Sequence, residues 1–295
     1  MKETIFTGAG VALVTPFNDD FSVNFDALEK IVEMQIAGGT DAIISCGTTG
    51  EAATLTNEEH IAVIKRTVEI VNHRIPVIAG TGSNDTAFAI ELTCAAKEAG
   101  ADATLQVTPY YNKTSQKGLI AHFNAIANAS KMPTILYCVP GRTGMNILPE
   151  TCYELSKNPY IVAIKEASDN ISQVSNIALL CGDELDIYSG CDDIVLPIMA
   201  CGGKGVISVL SDVAPKAAHD IAASFLAGDI ETSRKLQYEW FDLCKALFID
   251  VNPIPVKEAM NMMGLGVGPC RMPLVEMDED KKAKLYNVLK KHALV

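Results

Sequence analysis

Eight short apolar runs recur about every 30 residues up to residue 210, each followed by a stretch with helical spacing. They are GVALVTPF (10–17), AIISCG (42–47), PVIAGTG (76–82), ATLQVTPYY (103–111), PTILYCVP (133–140), IVAIKEA (161–167), LDIYSG (185–190) and GVISVL (205–210). Runs this apolar are buried on both faces, and strands alternating with helices form a parallel sheet. Eight repeats predict a closed (β/α)8 TIM barrel, an α/β fold. The open, doubly wound alternative usually carries GxGxxG after its first strand, and that motif is absent here. In FDALEKIVEMQIAGG (25–39), Leu28, Ile31, Val32 and Ile36 make a helical stripe that Gly38 and Gly39 end. Asn57, before a first turn rich in Glu, reads as a helix N-cap. After residue 228 the strands cease. Residues 1–228 are therefore expected to form the catalytic barrel, and 229–295 a C-terminal helical extension packed on it.

The length of 295 residues and an apolar fraction of 48% allow a full core. The formal net charge of −12 argues against nucleic acid and anionic membranes as partners, and it requires any site for an anion to be locally positive. The nine cysteines show no CxxC pair, which points to reduced thiols. No window is long enough to span a bilayer, and the N-terminal run is too polar for a signal peptide. A soluble cytoplasmic protein is the expectation.

Barrel enzymes place their chemistry at the C-terminal ends of the strands. The first strand is expected to end in Thr15-Pro16, and the second in GTTGE (47–51). The fourth ends in TPYYN with Tyr110 and Tyr111, and PGRTG with Arg142 follows the fifth. The sixth run holds Lys165, which is unusual, because an ammonium in a buried strand must be paired or lose its proton. Strand alternation puts Ala163, Lys165 and Ala167 on one face and Ile164 on the other, and it turns Tyr137 inward beside Ile135. An ordinary lysine, with a pKa of about 10.4, is protonated at neutral pH and cannot attack a carbonyl. Desolvation lowers that value and frees the amine to form a Schiff base without a metal or other cofactor. A lysine snorkelling to solvent is the alternative, and the convergence of Tyr137, Thr49 and Arg142 on the same rim weighs against it. GTTGE can cradle a small carboxylate or be an ordinary glycine turn. Arg142 suits a second carboxylate, or it is a solvated loop residue. The glycine-rich ACGGKGVIS (200–208) lacks Walker A spacing and reads as a turn. The five histidines form no metal-binding motif.

GTTGEAATLTNEE, TPYYNK, LYCVPGRTG, AIKEAS, GVISV and NPIPVKEAM, in this order along essentially the whole chain, are similar to the Schiff-base aldolase family of the dihydrodipicolinate synthases and N-acetylneuraminate lyases. GTTGE, the double tyrosine and the arginine of PGRTG fit the synthase branch best. The resemblance implies pyruvate bound on Lys165, and proton transfer by Tyr137 linked through Thr49 to Tyr111 of a neighbouring subunit. It also implies Thr48 and Thr49 on the pyruvate carboxylate, Arg142 on aspartate semialdehyde, and backbone groups of Gly190 and Ile207 around the site. The implied product is 4-hydroxy-tetrahydrodipicolinate, in the diaminopimelate and lysine pathway. The implied assembly is a homo-oligomer, either a tetramer built as a dimer of dimers or a dimer.

Two departures stand out. Cys138 follows Tyr137 where Asn is usual. Phe88 stands where lysine-inhibited members carry a carboxylate, and Asn57 where they often have His, although His60, Asn84 and Tyr110 match the inhibitor site. Weak or absent lysine feedback is expected. A sister aldolase acting on a sugar acid is the nearest alternative. A non-catalytic small-acid-binding barrel and a phosphate-binding barrel isomerase stand further off.

Overall fold

The computed structural model describes residues 2–295. Eight parallel strands close into a barrel in sequence order, with β8 pairing back to β1. They are β1 (Gly8–Ala12), β2 (Ala42–Ser45), β3 (Val77–Gly80), β4 (Ala103–Val107), β5 (Thr134–Cys138), β6 (Ile161–Glu166), β7 (Asp186–Ser189) and β8 (Gly205–Ser208). Helices follow the strands and cover the barrel's outside. Four more helices, Ile230–Glu239, Phe241–Ala246, Ile254–Met262 and Glu279–Lys291, come after it. The first two of these helices part at Trp240. All nine cysteines are free. No helix of the described residues is long and apolar enough to cross a membrane.

Strand alternation sorts the core into an inner and an outer layer. Ala12, Ile44, Ile78, Leu105, Ile135, Tyr137, Ala163, Tyr188 and Ile207 pack together inside the barrel. Leu136, Cys138, Ile164 and Ile187 pack outward with apolar residues of the covering helices. Phe6 stacks on Tyr188 at 4.3 Å between ring centres, and the Tyr188 hydroxyl donates to the Phe6 carbonyl at 2.6 Å. That stack fills the barrel below the rim, so the space left for a ligand lies at the C-terminal ends of the strands.

Two local expectations are corrected. The first strand ends at Ala12, not at Thr15-Pro16. The chain leaves the sheet there, and the Thr15 hydroxyl donates to the Gly50 carbonyl at 2.7 Å. The helix Asn57–Val71 is capped by Thr56, one residue earlier than expected. The Thr56 hydroxyl accepts from the Glu59 N–H at 3.2 Å, and Glu59 accepts from the Thr56 N–H at 3.0 Å. This reciprocal pair outcompetes a single Asn cap.

Candidate active site

β6 sets Lys165 against the inside of the barrel mouth. The residue is 5% exposed, and its Nζ lies 4.5 Å from the centre of the Tyr137 ring. The ladder pairs Tyr137 with Lys165 and Lys165 with Tyr188. Burial is the main cause that lowers the Lys165 pKa to about 8; Cys191 and Asp192 work against the fall, and Arg142 adds to it. At pH 7 about a tenth of such an amine is neutral, against roughly one in a few thousand for an ordinary lysine. Burial pushes the Tyr137 phenol up to about 12, with Arg142 opposing, so it stays protonated at neutral pH and can pass a proton.

The room for Lys165 comes from Gly190, just past β7. A Cβ there would fall 2.7 Å from the Ala167 Cβ and 3.2 Å from the Lys165 Cε. On the outer face of β6, Glu166 accepts from the Ser168 N–H at 2.8 Å and from Gln173 at 3.0 Å, which anchors the strand end. Cys138 also faces outward, where its thiol donates to Asn146 at 3.1 Å. The unusual cysteine therefore lies on the opposite side of β5 from Tyr137.

A cavity of about 390 Å³ opens here, lined by Thr48, Thr49, Tyr137, Arg142, Lys165 and Gly190 among others. Six of the eight expected site residues thus converge. Ile207 is fully buried in the barrel interior below the cavity. Tyr111 lies outside it, 93% exposed on a left-handed turn with φ of 68°. Arg142 sits on the short helical turn Pro140–Thr143, which Gly144 ends at φ of 66°. Its Nη2 donates to the Asn252 carbonyl at 3.0 Å.

The expected link from Tyr137 through Thr49 is corrected. Of the two threonines, Thr48 is the one whose hydroxyl acts on the Tyr137 phenol, opposing the rise that burial causes. Thr49, also in the lining, is buried and accepts from the Asn252 side chain at 3.0 Å.

Sequence reasoning missed the contribution of the C-terminal helices. Cys244, Lys245, Phe248 and Asn252 all line the cavity. Lys257, buried at the barrel top, donates to Glu51 of the GTTGE turn at 2.8 Å and to the carbonyls of Thr15 and Pro269. That pair holds Glu51 at a left-handed φ of 53°. The fragment NPIPVKEAM was the available signal, because it contains both Asn252 and Lys257. The expected positive excess is not a matter of count either. Arg142, Lys165 and Lys245 share the lining with Asp169, Asp192 and Asp193, and Lys245 is paired with Asp193.

Comparison with known proteins decides the family. The Dihydrodipicolinate synthetase family model matches residues 5–292. The chain belongs to that family. A relative from Acetivibrio thermocellus named 4-hydroxy-tetrahydrodipicolinate synthase is 56% identical over 295 residues, covering 100% of both chains. Dihydrodipicolinate synthase from Aquifex aeolicus superposes with a TM-score of 0.96 at 45% identity, over 98% of this chain and 99% of its own. A chloride-inhibited dihydrodipicolinate synthase from Acinetobacter baumannii, crystallised in complex with pyruvate, gives 0.97 at 44% identity, over 99% and 100%. Like other dihydrodipicolinate synthetase family members, this chain is an enzyme of the lyase class with a TIM-barrel fold.

Proposed function

We propose that the chain condenses pyruvate with aspartate 4-semialdehyde through a Schiff base on Lys165, giving 4-hydroxy-tetrahydrodipicolinate for diaminopimelate and lysine synthesis. The observation that carries this reading is a desolvated amine, its pKa lowered to about 8, facing a protonated phenol inside a cavity rimmed by a guanidinium. Neutral Lys165 Nζ attacks the pyruvate keto carbon, and loss of water leaves an iminium. The methyl group then gives up a proton, forming an enamine with Lys165 nitrogen as the electron sink. The enamine carbon bonds to the aldehyde carbon, whose oxygen takes up a proton. The substrate's amine next adds to the iminium carbon and displaces Lys165 as a free amine, closing the ring. Tyr137, with Thr48 beside it, carries the protons. Thr48 and Thr49 hold the pyruvate carboxylate, Arg142 holds the semialdehyde carboxylate, and Gly190 and Ile207 offer backbone groups.

Tyr111 is proposed to serve the cavity of a second copy of the chain, in a cytoplasmic homo-oligomer. Its nearly complete exposure and its absence from the lining of its own cavity support that role. Lysine feedback is proposed to be weak or absent. Phe88 lines a neighbouring cavity with Asn57, His60 and Tyr110, and it presents a ring where a ligand ammonium would need a carboxylate. A calorimetric titration with lysine tests this, and tight binding would overturn it. Turnover with pyruvate and aspartate semialdehyde, set against turnover with sugar-acid substrates, tests the substrate assignment. A preference for the sugar acids would refute it.

A further inference from the structure

Two neighbouring carboxyl groups, that of Asp192 in the cavity lining and that of Asp212 outside it, each have one oxygen unsatisfied. Asp192 begins a turn just past β7, and Asp212 ends the turn Leu210–Asp212 just past β8, the neighbouring strand. Both are buried, at 5% and 0% exposure. Asp192 Oδ2 accepts from the N–H groups of Val209 and Leu210 at 2.9 Å, which seats it on the same turn that carries Asp212. Asp212 Oδ1 accepts from the Val14 N–H at 3.2 Å. Asp192 Oδ1 and Asp212 Oδ2 have no hydrogen-bond partner, although the Ser208 hydroxyl acts on the Asp192 carboxyl from its own side. Buried polar atoms are almost always paired, and two neighbouring buried carboxylates cannot both ionise cheaply. A single proton removes both difficulties, because it makes one orphan oxygen a donor and leaves the other as its acceptor.

We infer that Asp192 and Asp212 share one proton, carried on Asp212 and donated to Asp192, so that the pair holds a single negative charge facing Lys165. Asp212 is thereby a positioning residue for the charge of the amine. Lys165 is also faced by Arg142, Cys191 and the Tyr137 ring. Arg142 is cationic, and the Cys191 and Tyr137 groups are held neutral at pH 7 by burial. Cys244, from the helix Phe241–Ala246, lies close to Asp192 and is likewise held neutral by burial. Asp169, Asp193 and Lys245 line the same cavity, the last two paired with each other, and Asp192 is the carboxylate that acts on Lys165 itself, balancing the ammonium and, on the Schiff-base reading above, the iminium. Burial pushes both carboxyl groups upward, Asp212 the more, and Asp192 adds to the push on Asp212.

Infrared difference spectroscopy between the wild-type protein and D212N at neutral pH reads the proton directly. Asn is isosteric and supplies a fixed amide donor to Asp192. A protonated-carboxyl C=O stretch present in the wild type and lost in D212N is expected. Its absence from the wild type, with both groups ionised around a water or a cation, would overturn the inference. The link to Lys165 is read from the pH midpoint of borohydride trapping with pyruvate. D212N should keep the wild-type midpoint. D212A leaves Asp192 to take the proton itself, and its midpoint should fall by about one pH unit. A wild-type midpoint in D212A, or a shifted one in D212N, would refute the link. A wild type that traps no pyruvate at any pH would instead refute the Schiff-base reading, and it would leave the infrared result standing.

Discussion

Tyr137 and Lys165 sit opposite each other in the β5–β6 ladder, with the lysine nitrogen 4.5 Å from the centre of the phenol ring. The ring covers the amine with apolar surface and sets an ionisable hydroxyl in the same cavity. One neighbour thus helps strip water from the nucleophile and supplies a proton carrier.

Desolvation makes the amine costly to the fold. The Lys165 pKa is lowered to about 8 in the folded protein, against about 10.4 unfolded. Between those values the unfolded chain binds more protons, so stability rises with pH. Below pH 8 the full penalty applies, on the order of 3 kcal/mol. A Lys165→Met variant is expected to melt several degrees higher than the wild type at pH 7, with the gain vanishing near pH 10. Calorimetric scans across that range check it, and a variant less stable at pH 7 would contradict it.

The two threonines of GTTGE should separate kinetically. Thr48→Val removes the hydroxyl at the phenol and should lower kcat by about 100-fold, the scale of one positioned proton carrier. Thr49→Val frees the Asn252 side chain and should act mainly on the KM for pyruvate. Steady-state kinetics of both variants decide it, and the reverse pattern would return the relay to Thr49.

Arg142→Lys keeps the charge but loses the planar fork. The KM for aspartate semialdehyde should rise about 10-fold or more, while pyruvate trapping by borohydride stays at its wild-type rate. Equal damage to both steps would mean that Arg142 acts on the amine and not on the second carboxylate.

Much of this site was legible in the sequence because period-2 alternation is rigid. Once β5 and β6 were recognised, the inward faces of Tyr137 and Lys165 and the outward face of Cys138 followed. The turn residues were less legible. Thr48 and Thr49 differ by one position, and which of them meets the phenol depends on a left-handed backbone at Cys46 and Glu51 that composition does not announce. Asn252 and Lys257 stand in the fragment NPIPVKEAM, but their roles were not legible, because their partners Thr49 and Glu51 lie some 200 residues away in the chain.

The buried pair itself is testable. Lys257→Met removes the buried ammonium that donates to Glu51 at the barrel top, and should cost about 3–5 kcal/mol. Combining it with Glu51→Gln should recover a large part of that loss. Denaturant midpoints of the single and double variants give the coupling, and simple additivity would mean that the pair contributes nothing to stability.

The central claim is tested most directly by mass spectrometry after incubation with pyruvate and borohydride. One reduced pyruvyl adduct is predicted, on the peptide containing Lys165, and none in a folded Lys165→Arg variant. An adduct on another lysine, no adduct in the wild type, or turnover retained in the variant would contradict it.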